Sequence, residues 1–208
     1  MKNNMIFTSN GIVGTNFPED FIKKNISQKN IIIVDNGTYD TSNYNKRDEN
    51  VKQFYKYSAK KVDLITLNQN NIEEILNYDI CYVMGGSIAN LVTLVHTTNI
   101  KEVLIKFLEK GIYMGESSGS IILDENVEWY FNLKRGTKPK YDVTFDNYNG
   151  LGFINQHIYP HYNKENSIEK EKILDYKEEV LTLNDGDYIV LWKKTRPITI
   201  YVISREMP

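Results

Sequence analysis

The chain has 208 residues, of which 41% are hydrophobic, a length and composition that favour one domain over residues 1–208 with a sizeable core. Its formal net charge of −2 and its scattered lysines and arginines argue against a nucleic-acid-binding surface. No apolar run approaches the length of a membrane span, and the first residues lack the apolar stretch of a secretory signal. We therefore expect a cytoplasmic protein with no membrane partner.

The cysteine and histidine content limits the metal and redox chemistry that the chain supports. The single cysteine, Cys81, excludes an intrachain disulfide and lies within an apolar run, which predicts a buried structural thiol. Cysteines and histidines form no cluster with the spacing of a metal site. We therefore predict neither a metal nor another cofactor.

Short apolar runs alternate with amphipathic segments through the first half of the chain, the pattern of β-α-β units around a parallel sheet. Strands are predicted over residues 5–8, 31–34, 62–67, 80–84 and 112–115. Helices are predicted over residues 19–25, 51–61, 72–76, 88–95 and 103–108, with a polar surface loop over 38–48.

The second half of the chain is less regular. Residues 127–133 and 141–145 are interpreted as strands or as an excursion around Gly136. Strands are predicted over 180–183, 188–192 and 198–203, and a charged surface helix over 165–178. The Asp-Gly turn at Asp185 separates the strands over 180–183 and 188–192, which predicts a hairpin.

Residues 112–120 contain the pattern G-x-S-x-G at Gly115, Ser117 and Gly119. The pattern lies between an apolar run and a second apolar segment that starts at Ile121, which is the strand-turn-helix context of a nucleophile elbow. Small residues on both sides of the serine allow the sharp turn that presents Oγ at the end of a strand. An ordinary Gly/Ser-rich loop is the alternative interpretation.

Two further features qualify as parts of a site. Gly85 and Gly86 follow a predicted strand, where glycines let backbone N–H groups approach a ligand, although a simple tight turn is the alternative. A serine nucleophile also needs a base, and His157 and His161 lie in a loop-like stretch of the kind where site residues gather, whereas His96 lies in a predicted helix. From these patterns alone, the choice between His157 and His161 stays open.

Five short motifs are spread along almost the whole chain. They are Thr-Ser-Asn-Gly at 8–11, Val-Met-Gly-Gly at 83–86, Gly-Glu-Ser-Ser-Gly-Ser at 115–120, the segment from Gly-Leu-Gly-Phe-Ile at 150–154 to Pro-His-Tyr at 160–162, and Leu-Asn-Asp-Gly at 183–186. Their order resembles that in the peptidase family of dipeptidase E and cyanophycinase. The resemblance implies cleavage of short peptides. It also implies a three-layer α/β fold, a mostly parallel sheet flanked by helices, related to class I glutamine amidotransferases with serine in place of cysteine.

Carried over residue by residue, the resemblance implies that Ser117 is the nucleophile and that His161, in the Pro-His-aromatic step, is the general base. Asp185 matches the acidic member of the triad, although an ordinary turn aspartate is the alternative. The backbone N–H groups of Gly86 and Ser118 match the oxyanion hole. The order Ser, His, Asp differs from the order Ser, Asp, His of α/β-hydrolases.

The expected substrate-binding residues are Gly85, Glu116 and Lys172. Members resembling the aspartyl dipeptidase carry arginines after the catalytic histidine that bind an acidic side chain, whereas this chain has lysines and glutamates over 169–172 and no arginine there. Lysine does not reproduce bidentate carboxylate recognition. Glu116 adds a negative charge beside the nucleophile, at a position that is generally uncharged in the family. We therefore expect no strong preference for Asp-X dipeptides.

The sequence thus predicts a serine peptidase. Two alternatives stay open: a non-catalytic protein that binds a small acidic or peptidic ligand on the same scaffold, and an esterase or amidase that uses the same triad.

Overall fold

The structure is a computed structural model that describes residues 3–38, 44–133, 147–163, 173, 180–192 and 199–203. The strands are β1 (Asn3–Thr8), β2 (Asn30–Val34), β3 (Lys61–Ile65), β4 (Ile80–Val83), β5 (Ile112–Glu116), β6 (His157–Tyr159), β7 (Val180–Thr182), β8 (Tyr188–Trp192) and β9 (Thr199–Ile203). The helices are α1 (Gly11–Gly14), α2 (Glu19–Asn25), α3 (Tyr44–Lys56), α4 (Ile88–Thr97), α5 (Ile100–Phe107), α6 (Ser118–Ile121) and α7 (Glu128–Leu133), with short 3-10 helices at Asn36–Thr38 and Ile72–Asn77.

The centre of the fold is a seven-stranded sheet in the order β3-β2-β4-β5-β1-β8-β9. The strands from β3 to β1 in this order run parallel, and β8 and β9 run antiparallel to their neighbours. This arrangement confirms the predicted α/β fold with a mostly parallel sheet.

Both faces of the sheet are buried, which explains why β2 is an unbroken apolar run. Ile32 and Val34 belong to one core cluster, and Ile31 and Ile33 belong to another. Because successive side chains of a strand point to opposite faces, the two clusters are the layers above and below the sheet. Residues of α4, α5 and α6 form part of the first layer, and residues of α1 and α3 form part of the second.

Three predictions of local structure are wrong, because polar or aromatic composition was a poor guide to the structure of these segments. The surface loop predicted over 38–48 is wrong in its second half, because α3 begins at Tyr44 and its charged residues favour a helix. The predicted helix over 51–61 ends at Lys56, where Ser58 adopts φ 61° and closes the helix. Residues 128–133 form α7 and not a strand, with the Asn126 side chain accepting a hydrogen bond from the N–H of Glu128.

The predicted hairpin across Asp185 is also wrong. β7 pairs in parallel with β6 in a separate two-stranded sheet, whereas β8 pairs with β1 and β9. The stretch around His157 that was expected to be a loop is therefore partly a strand. The predicted strand over 141–145 lies outside the described residues, as does the predicted helix over 165–178 apart from position 173.

The order of the strands determines where a site forms. β4, β5 and β1 are adjacent and parallel, so their carboxyl ends lie at one edge of the sheet. Ser9 follows β1, Gly85 lies just beyond β4, and Ser117 follows β5. In open α/β sheets, ligands bind at this edge.

Candidate active site

Ser117 occupies a strained turn between β5 and α6. Its backbone angles are φ 48° and ψ −113°, in a region that residues other than glycine rarely adopt. The turn is held by a hydrogen bond from the N–H of Ser117 to the carbonyl of Thr8 at 2.9 Å and by one from the N–H of Ser120 to the carbonyl of Ser117 at 2.8 Å. Strain that is held in this way is typical of functional sites.

The two glycines of the G-x-S-x-G pattern make this turn sterically possible. A Cβ on Gly115 would lie 2.5 Å from the carbonyl oxygen of Gly119, and a Cβ on Gly119 would lie 2.2 Å from the carbonyl oxygen of Val83. Both distances are far below van der Waals contact, and both involve backbone atoms that a side-chain rotation cannot move. The pattern is therefore required by the packing of the turn against β4.

Replacing Gly119 with alanine is expected to lower the free energy of unfolding by roughly 2–4 kcal/mol, because the new methyl group would collide with the backbone of β4. Gly152→Ala is the matched control. Gly152 has φ +64°, but its Cβ would meet only Lys101 Nζ at 3.4 Å and Glu125 Cα at 3.8 Å, so we expect a loss of about 1 kcal/mol. Urea unfolding measures both changes, and equal losses would contradict the collision.

The structure brings Ser117, His161 and Asp185 together. Nε2 of His161 lies 3.0 Å from Oγ of Ser117, and Nδ1 of the same ring lies 2.7 Å from Oδ1 of Asp185. Ser117 is 9% exposed, and the side chains of His161 and Asp185 are 38% and 59% exposed. The imidazole thus contacts the hydroxyl with one nitrogen and the carboxylate with the other. In this arrangement a proton can move from the serine to the ring, and the carboxylate can stabilise the resulting positive charge.

A buried loop after β1 supports the acidic end of this arrangement. Ser9 Oγ donates a hydrogen bond to Asp185 Oδ1 at 2.8 Å, and the Asn10 side-chain oxygen accepts one from the N–H of Gly186 at 3.1 Å. Partial burial raises the pKa of Asp185, but hydrogen bonds from Ser9 and His161 outweigh this effect and hold the pKa below its usual range. The Asp185 carboxylate is therefore ionised at neutral pH.

Gly85, Gly86 and Ser118 form the wall of the site on the side of β4. A Cβ on Gly85 would lie 2.9 Å from Ser117 Cβ, and Gly86 has φ +122° with its backbone against Gly37. Ser118 Oγ donates a hydrogen bond to the carbonyl of Gly86 at 2.8 Å, which ties the two backbones together. Among the described residues, neither the N–H of Gly86 nor that of Ser118 has an acceptor. These two donors are available for an anionic oxygen.

Glu116 has surroundings that the sequence did not indicate. Its carboxylate is fully buried, accepts a hydrogen bond from the Tyr82 hydroxyl at 2.6 Å and forms an ion pair with Lys46 of α3. Burial, reinforced by the charge of Glu116, raises the pKa of Tyr82 well above its usual range, so the phenol keeps its proton and donates it. The negative charge expected beside the nucleophile is therefore largely compensated. Lys172 lies outside the described residues.

The other two histidines are engaged elsewhere. His157 is buried in β6, where its Nδ1 contacts Asp124 and its ring stacks on Trp129 with a centroid separation of 4.5 Å. His96 Nε2 lies 3.1 Å from the carbonyl of Asn149. Neither arrangement involves Ser117.

Cys81 is fully buried in β4, and burial raises the pKa of its thiol to about 12. Such a thiol is not a reactive nucleophile at neutral pH. Among the described residues, no group of three or more His, Cys, Asp or Glu side chains has an arrangement that could hold a metal ion. No helix in the described part of the chain is long and apolar enough to cross a bilayer.

Sequence reasoning missed Ser9, Asn10 and Lys46 as parts of the site. Ser9 and Asn10 belong to a motif that was noted, but turn chemistry alone does not reveal a partner 176 residues away, the separation between Ser9 and Asp185. Lys46 was assigned to a loop. A helix prediction for that segment would have placed it near the carboxyl edge of the sheet.

The comparisons with known proteins give the family of this chain. The model of peptidase family S51 matches residues 13–198, and the chain belongs to that family. This match confirms the resemblance to the family of dipeptidase E.

Two curated relatives are peptidases from Listeria. The uncharacterized peptidase Lmo0363 of Listeria monocytogenes serovar 1/2a is 24% identical over 139 residues, which cover 64% of this chain and 66% of that protein. The uncharacterized peptidase Lin0382 of Listeria innocua serovar 6a is 25% identical over 124 residues, which cover 58% of each chain. The chain thus aligns with less than two thirds of the length of each relative.

Two solved structures share the fold. A candidate peptidase E from Listeria monocytogenes EGD-e superimposes with a TM-score of 0.73 at 18% identity, covering 97% of this chain and 99% of that one. A peptidase from an acI-B1 actinobacterium superimposes with a TM-score of 0.67 at 15% identity, covering 95% and 86%. At these identities the superpositions support the fold alone.

Proposed function

We propose that the protein is a peptidase that hydrolyses short peptides by acyl transfer, with Ser117 as nucleophile, His161 as general base and Asp185 as the acidic member of a triad. The observation that carries the proposal is the pair of contacts on the His161 ring, 3.0 Å to Ser117 Oγ and 2.7 Å to Asp185 Oδ1. An ionised Asp185 accepts a hydrogen bond from the Nδ1–H group of His161. The lone pair of Nε2 is then directed at the serine hydroxyl.

In the proposed mechanism, Ser117 Oγ attacks the peptide carbonyl as His161 takes the hydroxyl proton. The carbonyl oxygen becomes an oxyanion and accepts hydrogen bonds from the N–H groups of Gly86 and Ser118. Collapse of this intermediate breaks the C–N bond, and His161 gives its proton to the departing amine. Water, deprotonated by His161, then cleaves the acyl ester and releases the acid and free Ser117.

The burial of Ser117 supports a short substrate. Because this residue is only 9% exposed, a scissile bond must enter a recess to reach Oγ. A folded chain cannot present its backbone in this way, whereas a short extended peptide can. Gly85 packs closely beside Ser117, where a Cβ would lie 2.9 Å from the Cβ of the serine.

The test is reaction with a fluorophosphonate probe, in which Oγ forms a P–O bond, fluoride leaves and the hydroxyl proton passes to His161. Mapping the label to Ser117 would support the triad. Failure to label the folded protein would favour a non-catalytic binding protein, and labelling without peptide hydrolysis would favour an esterase or amidase.

We expect Asp-X dipeptides to be at most about tenfold better substrates than dipeptides with a neutral first residue, because the nearby cations already have anionic partners. Lys46 pairs with Glu116, and Arg47 pairs with Asp35 at 3.0 Å. The measurement is kcat/KM across a dipeptide panel at fixed salt concentration. A large Asp-X advantage would show that another cation, such as Lys172, binds the acidic side chain.

Two variants test the electrostatic reason directly. Glu116→Gln leaves the charge of Lys46 uncompensated, so it should raise kcat/KM for acidic substrates relative to neutral ones. Lys46→Met should do the opposite. If the two variants shift the preference in the same direction, the charges of this pair do not determine it.

A further inference from the structure

Ser9 is a fully buried hydroxyl between the base and the acid of the proposed triad. Its Oγ accepts a hydrogen bond from the backbone N–H of His161 at 2.8 Å and donates one to Asp185 Oδ1 at 2.8 Å. The same oxygen lies 3.4 Å from His161 Nδ1. One side chain at the end of β1 therefore contacts both members of the pair.

The pair needs such a support because neither member is held by burial. The Asp185 side chain is 59% exposed and the His161 side chain is 38% exposed, and ion pairs between exposed groups are weak. His161 also has a left-handed backbone with φ 57°, a conformation that is uncommon for residues other than glycine. The hydrogen bond from the His161 N–H to the buried Ser9 is one such contact.

The directions of these hydrogen bonds also determine the tautomer of the ring. The only proton on Ser9 Oγ goes to Asp185, because the backbone N–H of His161 requires Oγ as an acceptor. An ionised carboxylate offers only acceptors, so His161 Nδ1 must carry a proton to bond with it. Nε2 is then the acceptor that faces Ser117, as a general base requires.

We infer that Ser9 is a positioning residue that holds the His161–Asp185 pair in its working geometry and tautomer, an inference that rests on the proposed function. Ser9 acts through the pair and does not contact the reacting atoms. Within the described part of the chain, the charged groups that act on the pair are Asp185 itself, Lys46 of α3, whose charge reaches Asp185, and Glu116 of β5, which pairs with Lys46. None of these three groups is removed by a change at Ser9.

The test is the rate of fluorophosphonate inactivation at neutral pH. Ser9→Ala should slow inactivation by roughly ten- to a hundredfold, the effect of losing a hydrogen bond to a charged group. The physical reason is that Asp185, once released from Ser9, no longer holds the His161 ring toward Ser117.

Thr98→Val is the matched control. Thr98 lies at the C-terminal end of α4, is partly buried and donates a hydrogen bond to the carbonyl of Leu94 at 2.6 Å, away from the pair. Loss of this hydroxyl should lower the melting temperature but leave the rate of inactivation close to that of the wild type. A rate in Ser9→Ala that equals that of Thr98→Val would overturn the inference.

A double-mutant cycle provides a second readout that a purely structural role would not produce. In an Asp185→Ala background, Ser9→Ala should slow inactivation much less than it does in the wild type. The reason is that the effects of substitutions at residues that act through one another are not additive. Fully additive losses would overturn the inference. If Ser9→Ala does not fold, Ser9→Cys, which retains a weak donor, serves in both experiments and should fall between wild type and Asp185→Ala.

The two proposals fail in different ways. If the folded wild-type protein is not labelled at Ser117, the proposed function fails. If the wild type is labelled and Ser9→Ala shows the wild-type rate of inactivation, only the inference about Ser9 fails.

Discussion

Ser117→Ala is expected to reduce peptide hydrolysis by about 10⁴-fold or more, because it removes the only atom that forms the acyl bond in the proposed mechanism. The free energy of unfolding should change by no more than about 1 kcal/mol, since the lost atom makes one partly buried hydrogen bond and leaves no void in the core. The measurement combines kcat/KM on dipeptides with urea unfolding of the same preparation. Full activity in the purified variant would eliminate the mechanism.

Alanine variants of His161 and His157 should differ in which property they lose, activity in the first and stability in the second. His161→Ala is expected to lose activity by about 10⁴-fold, like Ser117→Ala, with little change in stability because its ring is 38% exposed. His157→Ala should keep most of the activity at low temperature, but it should lose roughly 2–4 kcal/mol of unfolding free energy. Its ring stacks on Trp129 and contacts the buried carboxylate of Asp124.

His96→Ala is the control for this pair of variants, since His96 lies in the last turn of α4 and its ring forms a hydrogen-bond contact with the carbonyl of Asn149, away from Ser117. It should resemble the wild type in both measurements. Loss of activity in folded His157→Ala together with activity in His161→Ala would mean that the base has been assigned to the wrong histidine.

Much of the sheet was predictable because its strands are buried on both faces. A run such as the one in β2, apolar at Ile31, Ile32 and Ile33, has few structural alternatives in a chain with this alternating pattern. The turn at Ser117 was predictable for a similar reason. Steric contacts within or close to the turn require glycine at positions 115 and 119, so the sequence itself reveals the turn.

The features that were missed depend on contacts between distant parts of the chain. The polarity of residues 44–48 suggested a loop, but Lys46 pairs with the buried carboxylate of Glu116, a contact that forms only when α3 packs on the sheet. The Asp185 turn resembles a hairpin turn, yet β7 finds its partner in β6. Local turn chemistry cannot distinguish these pairings, since they are decided by which strands the rest of the fold leaves available.

The pairing of β1 with β8 has a consequence for how the protein acquires activity. β1 lies near the beginning of the chain and β8 near its end, and they join Ser9 to the loop that carries Asp185. Contacts of such high sequence separation form late, after the entropy of closing a long loop has been overcome. Hydrolytic competence should therefore appear only when folding is complete, so a partly synthesised or partly folded chain would be unable to cleave the peptides around it.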